Sequence, residues 1–223
     1  SLDFIMIGEN IHTTRVLMRD GRRIGQNENG EDVVVYRSLT GENKFMEIPE
    51  IYRETQSFKD GRVKHFMVAI SNGMSSNSRL TKEGEDYIAA EIFRQENNRA
   101  DFLDLNVDEL SYRINVQKEA MEWLVDLFCS KAHLPPSIDS SSMDILRAGL
   151  NRYIANGSPQ GKPMVNSASL ERLEVLDLVS EYDSYVIVTS AGSEGMPENE
   201  HERLDNARLM MEECERRDIS DHQ

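Results

Sequence analysis

The residues of this sequence that could do chemistry sit at the ends of short apolar runs. IMIGENIH carries Glu9, Asn10 and His12; DFLDLN carries Asp104 and Asn106; PSID ends in Asp139; PMVN ends in Asn166; YVIVTS ends in Thr189 and Ser190. Asp104 and Asn106 are two apart, so in a strand they share one face. A lone Asp or Asn at a strand end is ordinarily a cap for the next helix. Five strand ends in succession argue for more than capping. In LPPSIDSSSMDIL, residues 134–146, Asp139 lies before two nearer capping candidates, Ser141 and Ser142. Those serines can start the helix and leave the carboxylate free. A buried carboxylate is costly unless paired, so Asp139 is expected at a pocket floor, facing the donors of a ligand.

Other site chemistries lack their patterns. There is no GxGxxG after a strand, no GxxxxGK[ST] and no GxSxG. The five histidines, His12, His65, His133, His201 and His222, are scattered, with no HExxH and no Cys/His cluster, so no metal ligand is assigned. What remains is a carboxylate–carboxamide pocket. Aspartate accepts hydrogen bonds, and asparagine both donates and accepts. Together they match a flat heterocycle with amino, ring N–H and carbonyl edges, such as a pterin.

The elements that must position these groups follow a rhythm from residue 81 onward. TKEGEDYIAAEIFRQENN reads as an amphipathic helix capped by Thr81, with Tyr87, Ile88, Ala90, Ile92 and Phe93 on its apolar side. ADFLDLNVD, PPSIDSS, KPMVNSAS and SYVIVTSAG read as strands. NVQKEAMEWLVDLFCSKA, MDILRAGLNRYI, LERLEVLDLVSEY and residues 198–217 read as helices. With DFIMIGEN as a first strand, this is βα repetition around a parallel sheet, either doubly wound or closed as a barrel. Ligands of both architectures sit at the C-terminal ends of the strands. Residues 19–79 break the rhythm. There the β-branched run VVVY between Gly-rich turns predicts an inserted β-hairpin, followed by a linker with a helical stretch at IPEIYRETQ; SNGMSSNSR, 71–79, reads as a mobile polar loop.

Composition narrows the partners. The 223 residues include 40 acidic against 25 basic side chains, a net charge of −15. Such a surface repels phosphate backbones, so no nucleic-acid partner is expected. No apolar run approaches the roughly 18–20 residues that span a membrane, and no basic-then-apolar leader opens the sequence. Cys129 and Cys214 are far apart and form no CxxC pair. A reduced cytoplasmic protein is the expectation.

Taken in order, IGENIH, DFLDLNVDE, SIDSS, KPMVNSASLE and VIVTSAGSEGMP resemble the pterin-binding, dihydropteroate-synthase-like barrel superfamily. The nearest branch is the methyltetrahydrofolate–corrinoid methyltransferases, including the folate module of cobalamin-dependent methionine synthase. The resemblance covers residues 3–12 and about 100–215, not the 19–79 region. It implies a (β/α)8 barrel with about five βα units in this chain. It also implies methyl transfer between N5 of methyltetrahydrofolate and a corrinoid (cobalamin) carried by a partner protein, with a homodimer as the assembly. Carried over by motif, Asp139 and Asn166 would bond the pterin ring, Asn106 and Asp104 would line the pocket, and Glu9 would sit at its mouth. His12 stands where the family has Asn, and Asn10 where Arg is common. The N5-polarising residue would lie beyond Gln223, so no catalytic residue is assigned. Alternatives are a dihydropteroate-synthase-type condensation and a folate-binding or corrinoid-docking module without turnover. On the eight-unit count of the fold, a sheet ending at SYVIVTSAG would leave an apolar edge. A continuation of about three more βα units, or a second chain over that edge, is therefore expected.

Overall fold

The computed structural model describes residues 5–192 and 196–223. The side chains of Glu9 and Asn10, both assigned above to the pocket, lie outside the described residues. So do residues 193–195 of the last motif. The chain opens with β1 (Ile7–His12), then β2 (Leu17–Met18), β3 (Ile24–Gln26), β4 (Asp32–Arg37) and β5 (Asn43–Glu47). Short helices α1 (Glu50–Arg53) and α2 (Gln56–Lys59) lead to β6 (Arg62–Val63) and α3 (His65–Gly73). From α4 (Ser78–Asn97) the elements alternate: β7 (Phe102–Asn106), α5 (Ile114–Lys131), β8 (Pro136–Asp139), α6 (Met143–Ala155), β9 (Met164–Ala168), α7 (Glu174–Tyr182), β10 (Tyr185–Val188) and α8 (Glu200–Arg216).

The central sheet has five strands in the order β1-β7-β8-β9-β10, all parallel. Strand order equals chain order, so each strand is laid beside the last and the sheet curls as a half-barrel with its helices outside. β7 is buried at every position, as a strand covered on both faces must be. The core joins Leu103, Leu105, Ile138 and Val165 of the strands to Tyr87, Ile88 and Ile92 of α4, Met121, Leu124 and Phe128 of α5, Ile145 and Leu146 of α6, and Leu176 and Val179 of α7. Phe93 does not join its helix's apolar face: it is 48 % exposed. The last strand is only partly covered. Met210, Cys214 and Ile219 are buried beside it, and Val186 N–H donates to Gln223 O at 2.8 Å. The bond to this strand thus comes from the segment after the last helix, which itself buries only Met210 and Cys214.

Two local expectations change. Asn77, not Thr81, caps α4: its side chain accepts from the N–H groups of Arg79 and Leu80. Asn is among the strongest N-caps, and it stands a turn earlier. The Thr81 hydroxyl instead donates to Ser75 O and Asn77 O. The polar SNG of residues 71–73 is not loop but the last turn of α3, with Asn72 and Gly73 buried. Asn72 Nδ2 donates to Glu47 O, which satisfies the nitrogen end of a buried amide. A Cβ on Gly73 would collide with the Trp123 ring of α5, and a Cβ on Gly84 would collide with the α3 backbone at Ala69 and Gly73. The composition of this segment reads as loop; its glycine and asparagine serve close helix packing.

The region between β1 and α3 carries a third strand beyond the VVVY pair. β3, β4 and β5 form an antiparallel sheet, and β2 pairs with β6. IPEIYRETQ spans α1 and the Thr55 cap of α2. This region is locked to α4 by a buried polar chain. Arg23 Nη2 donates to Glu91 Oε1 at 2.6 Å and to the Tyr87 hydroxyl at 2.7 Å. Arginine cannot accept, so the Tyr87 hydroxyl gives its own hydrogen to His65 Nδ1, 2.6 Å away. Burial, with Arg23 and Arg94 nearby, pushes the His65 pKa down to about 3, so this imidazole is neutral. Arg94 closes the chain on Glu91 Oε2.

Candidate functional site at the strand ends

The polar strand ends meet because the register stacks them. In the parallel ladder His12 lies opposite Asn106, Asp104 opposite Ser137, and Asp139 opposite Asn166. Asp104, Asn106, Asp139, Asn166 and His12 therefore converge at the C-terminal ends of four adjacent strands. Asp104 and Asn106 are buried, while the side chains of His12 and Asp139 are each 21 % exposed, which leaves a floor with an open mouth. Thr189 and Ser190 lie beyond β10; Thr189 N–H extends the pairing to Ala168 O.

The electrostatics separate the two carboxylates. Ligand atoms of His12, Asp104 and Asp139 all lie within 4.8 Å of one another. Burial, and then the neighbouring Asp139, push the Asp104 pKa up to about 8. Burial pushes Asp139 the same way, but the adjacent His12 ring, with hydrogen bonding from Asp104 and Asn106, outweighs it and holds Asp139 below the usual carboxylate range. Two like charges this close do not both ionise in a poorly solvated site. At neutral pH the pair holds one proton, on Asp104, and one negative charge, on Asp139. Asn166 Nδ2 donates to Asp104 Oδ1 at 3.2 Å and orients it.

His12 is held from behind. Thr14 N–H donates to His12 Nδ1 at 3.2 Å, and the Thr14 hydroxyl lies 2.6 Å from the same nitrogen. A ring nitrogen that accepts a backbone N–H carries no proton, so the neutral ring has its hydrogen on Nε2. That atom faces Asp139 Oδ2 at 3.6 Å, longer than a hydrogen bond and open to a ligand group between them. The same three side chains could also hold a divalent cation, a set that no sequence spacing announces because its members come from three strands.

The serines after Asp139 have another use than the expected capping. Ser142 is the N-cap residue of α6, but its side chain makes no capping bond. Ser140 Oγ donates to Asp108 Oδ1 at 2.6 Å, and Ser141 donates to Asp108 Oδ2 through its N–H and its hydroxyl. Asp108 thus ties the loop after β7 to the loop after β8. Arg172 Nη2 extends the tie to the loop after β9 by donating to Ser140 O. Asn106 Oδ1 accepts from Asp108 N–H, an Asx turn that directs its amide nitrogen away from the loop. Asp108 and Arg172 were invisible as site supports. Their only signal was an Asp two residues past Asn106 and an Arg six past Asn166.

The model of a family described as "Pterin binding enzyme" matches residues 70–222, a span that contains Asp104, Asn106, Asp139 and Asn166 and leaves out β1 with His12. With more than half of its length inside that match, this chain belongs to the pterin binding enzyme family.

Proposed function

We propose that this protein holds methyltetrahydrofolate by its pterin ring and takes part in methyl transfer between N5 and a corrinoid carried by a separate partner protein. One observation carries the reading: an ionised Asp139 beside a protonated Asp104, with two carboxamides, at the mouth of a parallel half-barrel. The ring N–H and amino group of a pterin are adjacent donors that a single carboxylate can accept together. Asn166 and Asn106 suit the remaining mixed edge of the ring.

The corrinoid, when present on its partner, would supply the cobalt nucleophile. The work of this chain is to bind, orient and supply a proton. As the methyl–N5 bond breaks, its electron pair stays on nitrogen, so N5 must be protonated or hydrogen-bonded. Among the described residues, Asp104 and the Nε2–H of His12 are acidic proton-bearing groups at the pocket. On this reading the five strands belong to an eight-stranded barrel in which residues 19–79 are an insertion. The acidic surface and the free thiols Cys129 and Cys214 suit the cytoplasm, and a homodimer is the proposed assembly.

Calorimetric titration of methyltetrahydrofolate into the chain, with and without a cob(I)alamin partner, tests this. Asp139→Asn keeps the volume and replaces a charged acceptor by a half-donor. The expected loss is about 2–3 kcal/mol of binding, since hydrogen bonds to charged groups are worth ~1.5–3 kcal/mol and do not add fully. Unchanged affinity in a folded variant rejects the role. Binding without methyl transfer to the cobalt would favour a module without turnover, and binding that requires pyrophosphate would favour the condensation reaction.

A further inference from the structure

The strand-end site is not the only place built to hold a small molecule. Between the three-stranded antiparallel sheet and the last two turns of α4 lies a cavity of about 650 Å³. That size is in the range of small-molecule sites, roughly 300–1,000 Å³. It sits at the far end of the molecule from the carboxylates. α4 runs back along the sheet and ends at Asn97, just before β7 begins at Phe102, whereas the pocket lies at the other end of β7.

Its lining is unusual for a chain with a net charge of −15. Three guanidinium groups, Arg23, Arg37 and Arg94, face it against a single carboxylate, Glu91. Glu91 is almost fully buried and is shared by Arg23 and Arg94, so its charge offsets only one of them. Arg37, exposed at the end of β4, has no hydrogen bond or ion pair from its guanidinium among the described residues. Beside these cations the wall is apolar: Phe93 and Leu39 are 48 % and 55 % exposed. Nothing in α4's own amphipathic pattern calls for an outward phenylalanine there.

The geometry points to a second ligand site in this cavity, for an amphipathic anion: a carboxylate or phosphate head on Arg37 and Arg94, with a flat apolar body against Phe93 and Leu39. Two of the three cations are already held in place, since Arg23 is fixed by Tyr87 and Glu91, and Arg94 by Glu91. A preorganised guanidinium loses little freedom when it binds an oxyanion. The inference does not depend on the pterin reading, because no residue is shared between the two sites.

Phenyl phosphate titrated into the full chain by calorimetry is the test, with inorganic phosphate as the head-only arm and benzyl alcohol as the body-only arm. Saturable one-to-one binding is expected, about tenfold tighter than inorganic phosphate. Benzoate in place of phenyl phosphate tells a carboxylate head from a phosphate head. Arg37→Gln and Phe93→Ser are both at exposed positions, so the fold survives them, and each should weaken binding about tenfold. Equal affinity for the unaltered chain and Arg37→Gln overturns the assignment, as does no saturation by about 10 mM, a level that corresponds to very weak binding. So does a dimer that dissociates on Phe93→Ser without any anion binding, which would give the groove to a second copy.

Discussion

Two buried charge clusters in this molecule have opposite designs. In the lock that fastens the antiparallel region to α4, Glu91 is bonded by two arginines, Tyr87 both accepts and donates, and His65 is neutral. Every buried charge there has a partner supplied by the chain. At the strand ends, two carboxylates face each other with no arginine or lysine bonded to them among the described residues; their partners are amides, an imidazole and a shared proton. The first arrangement stabilises the fold. The second costs stability and leaves acceptors open to a ligand. The lesson is that a buried carboxylate whose cations the chain supplies holds the fold, whereas one left without a cation stays open to a ligand's donors.

The largest effect is expected where a closed network is opened. Glu91→Ala leaves Arg23 and Arg94 without their carboxylate, and removing one partner of a buried pair costs about 3–5 kcal/mol. Arg94 is half exposed, so the lower end is expected, read as a loss in the urea midpoint. The reverse result is expected at the strand ends. Asp104 is protonated up to about pH 8 when folded but has an ordinary value of 3.8 when unfolded. The folded state therefore binds more protons between those pH values, and stability falls as pH rises from about 4 to about 8. Asp139, held below the usual range, acts the other way, but only as the pH falls below about 4. Asp104→Asn should abolish the decline and raise stability at pH 9, by on the order of 2 kcal/mol. Urea midpoints at pH 5 and pH 9 read this, and a variant less stable than the parent at pH 9 would contradict the contrast drawn above.

Smaller changes sharpen the comparison. Tyr87→Phe keeps the ring against Tyr36 and Phe66 but removes the hydroxyl that joins Arg23 to His65. It strands a buried acceptor on His65, for about 1–2 kcal/mol. The smallest effect lies outside both clusters: Asn77→Ala removes the cap of α4 and should cost about 1 kcal/mol in a thermal transition, with ligand binding unchanged.

Much of the fold was legible because strands and helices have their own periods. The runs FLDLN, PSID, MVNSA and YVIV are the strands that the alternation foretold, and their end residues gave Asp104, Asn106, Asp139 and Asn166. The segments that misled were those whose local chemistry has two uses. SNG reads as loop and serves as a close helix contact; Ser141 and Ser142 read as caps, yet Ser141 binds Asp108 and the Ser142 side chain makes no capping bond. Strand β5, NKFME, is too charged for its pattern to stand out.

By itself, then, the sequence determined the order of elements from α4 onward, the side of the sheet on which Asp104 and Asn106 stand, and the excess of acid. Each of these depends on neighbours a few residues apart. The tertiary structure alone decided what spans distant strands. It set His12 against Asp139, put the proton of the carboxylate pair on Asp104, engaged Asp108 with the serines, and gathered two arginines on one glutamate. A pKa or an ion pair depends on distances of a few ångströms between residues up to 127 positions apart, as between His12 and Asp139, and only the register of β1, β7, β8 and β9 fixes those distances.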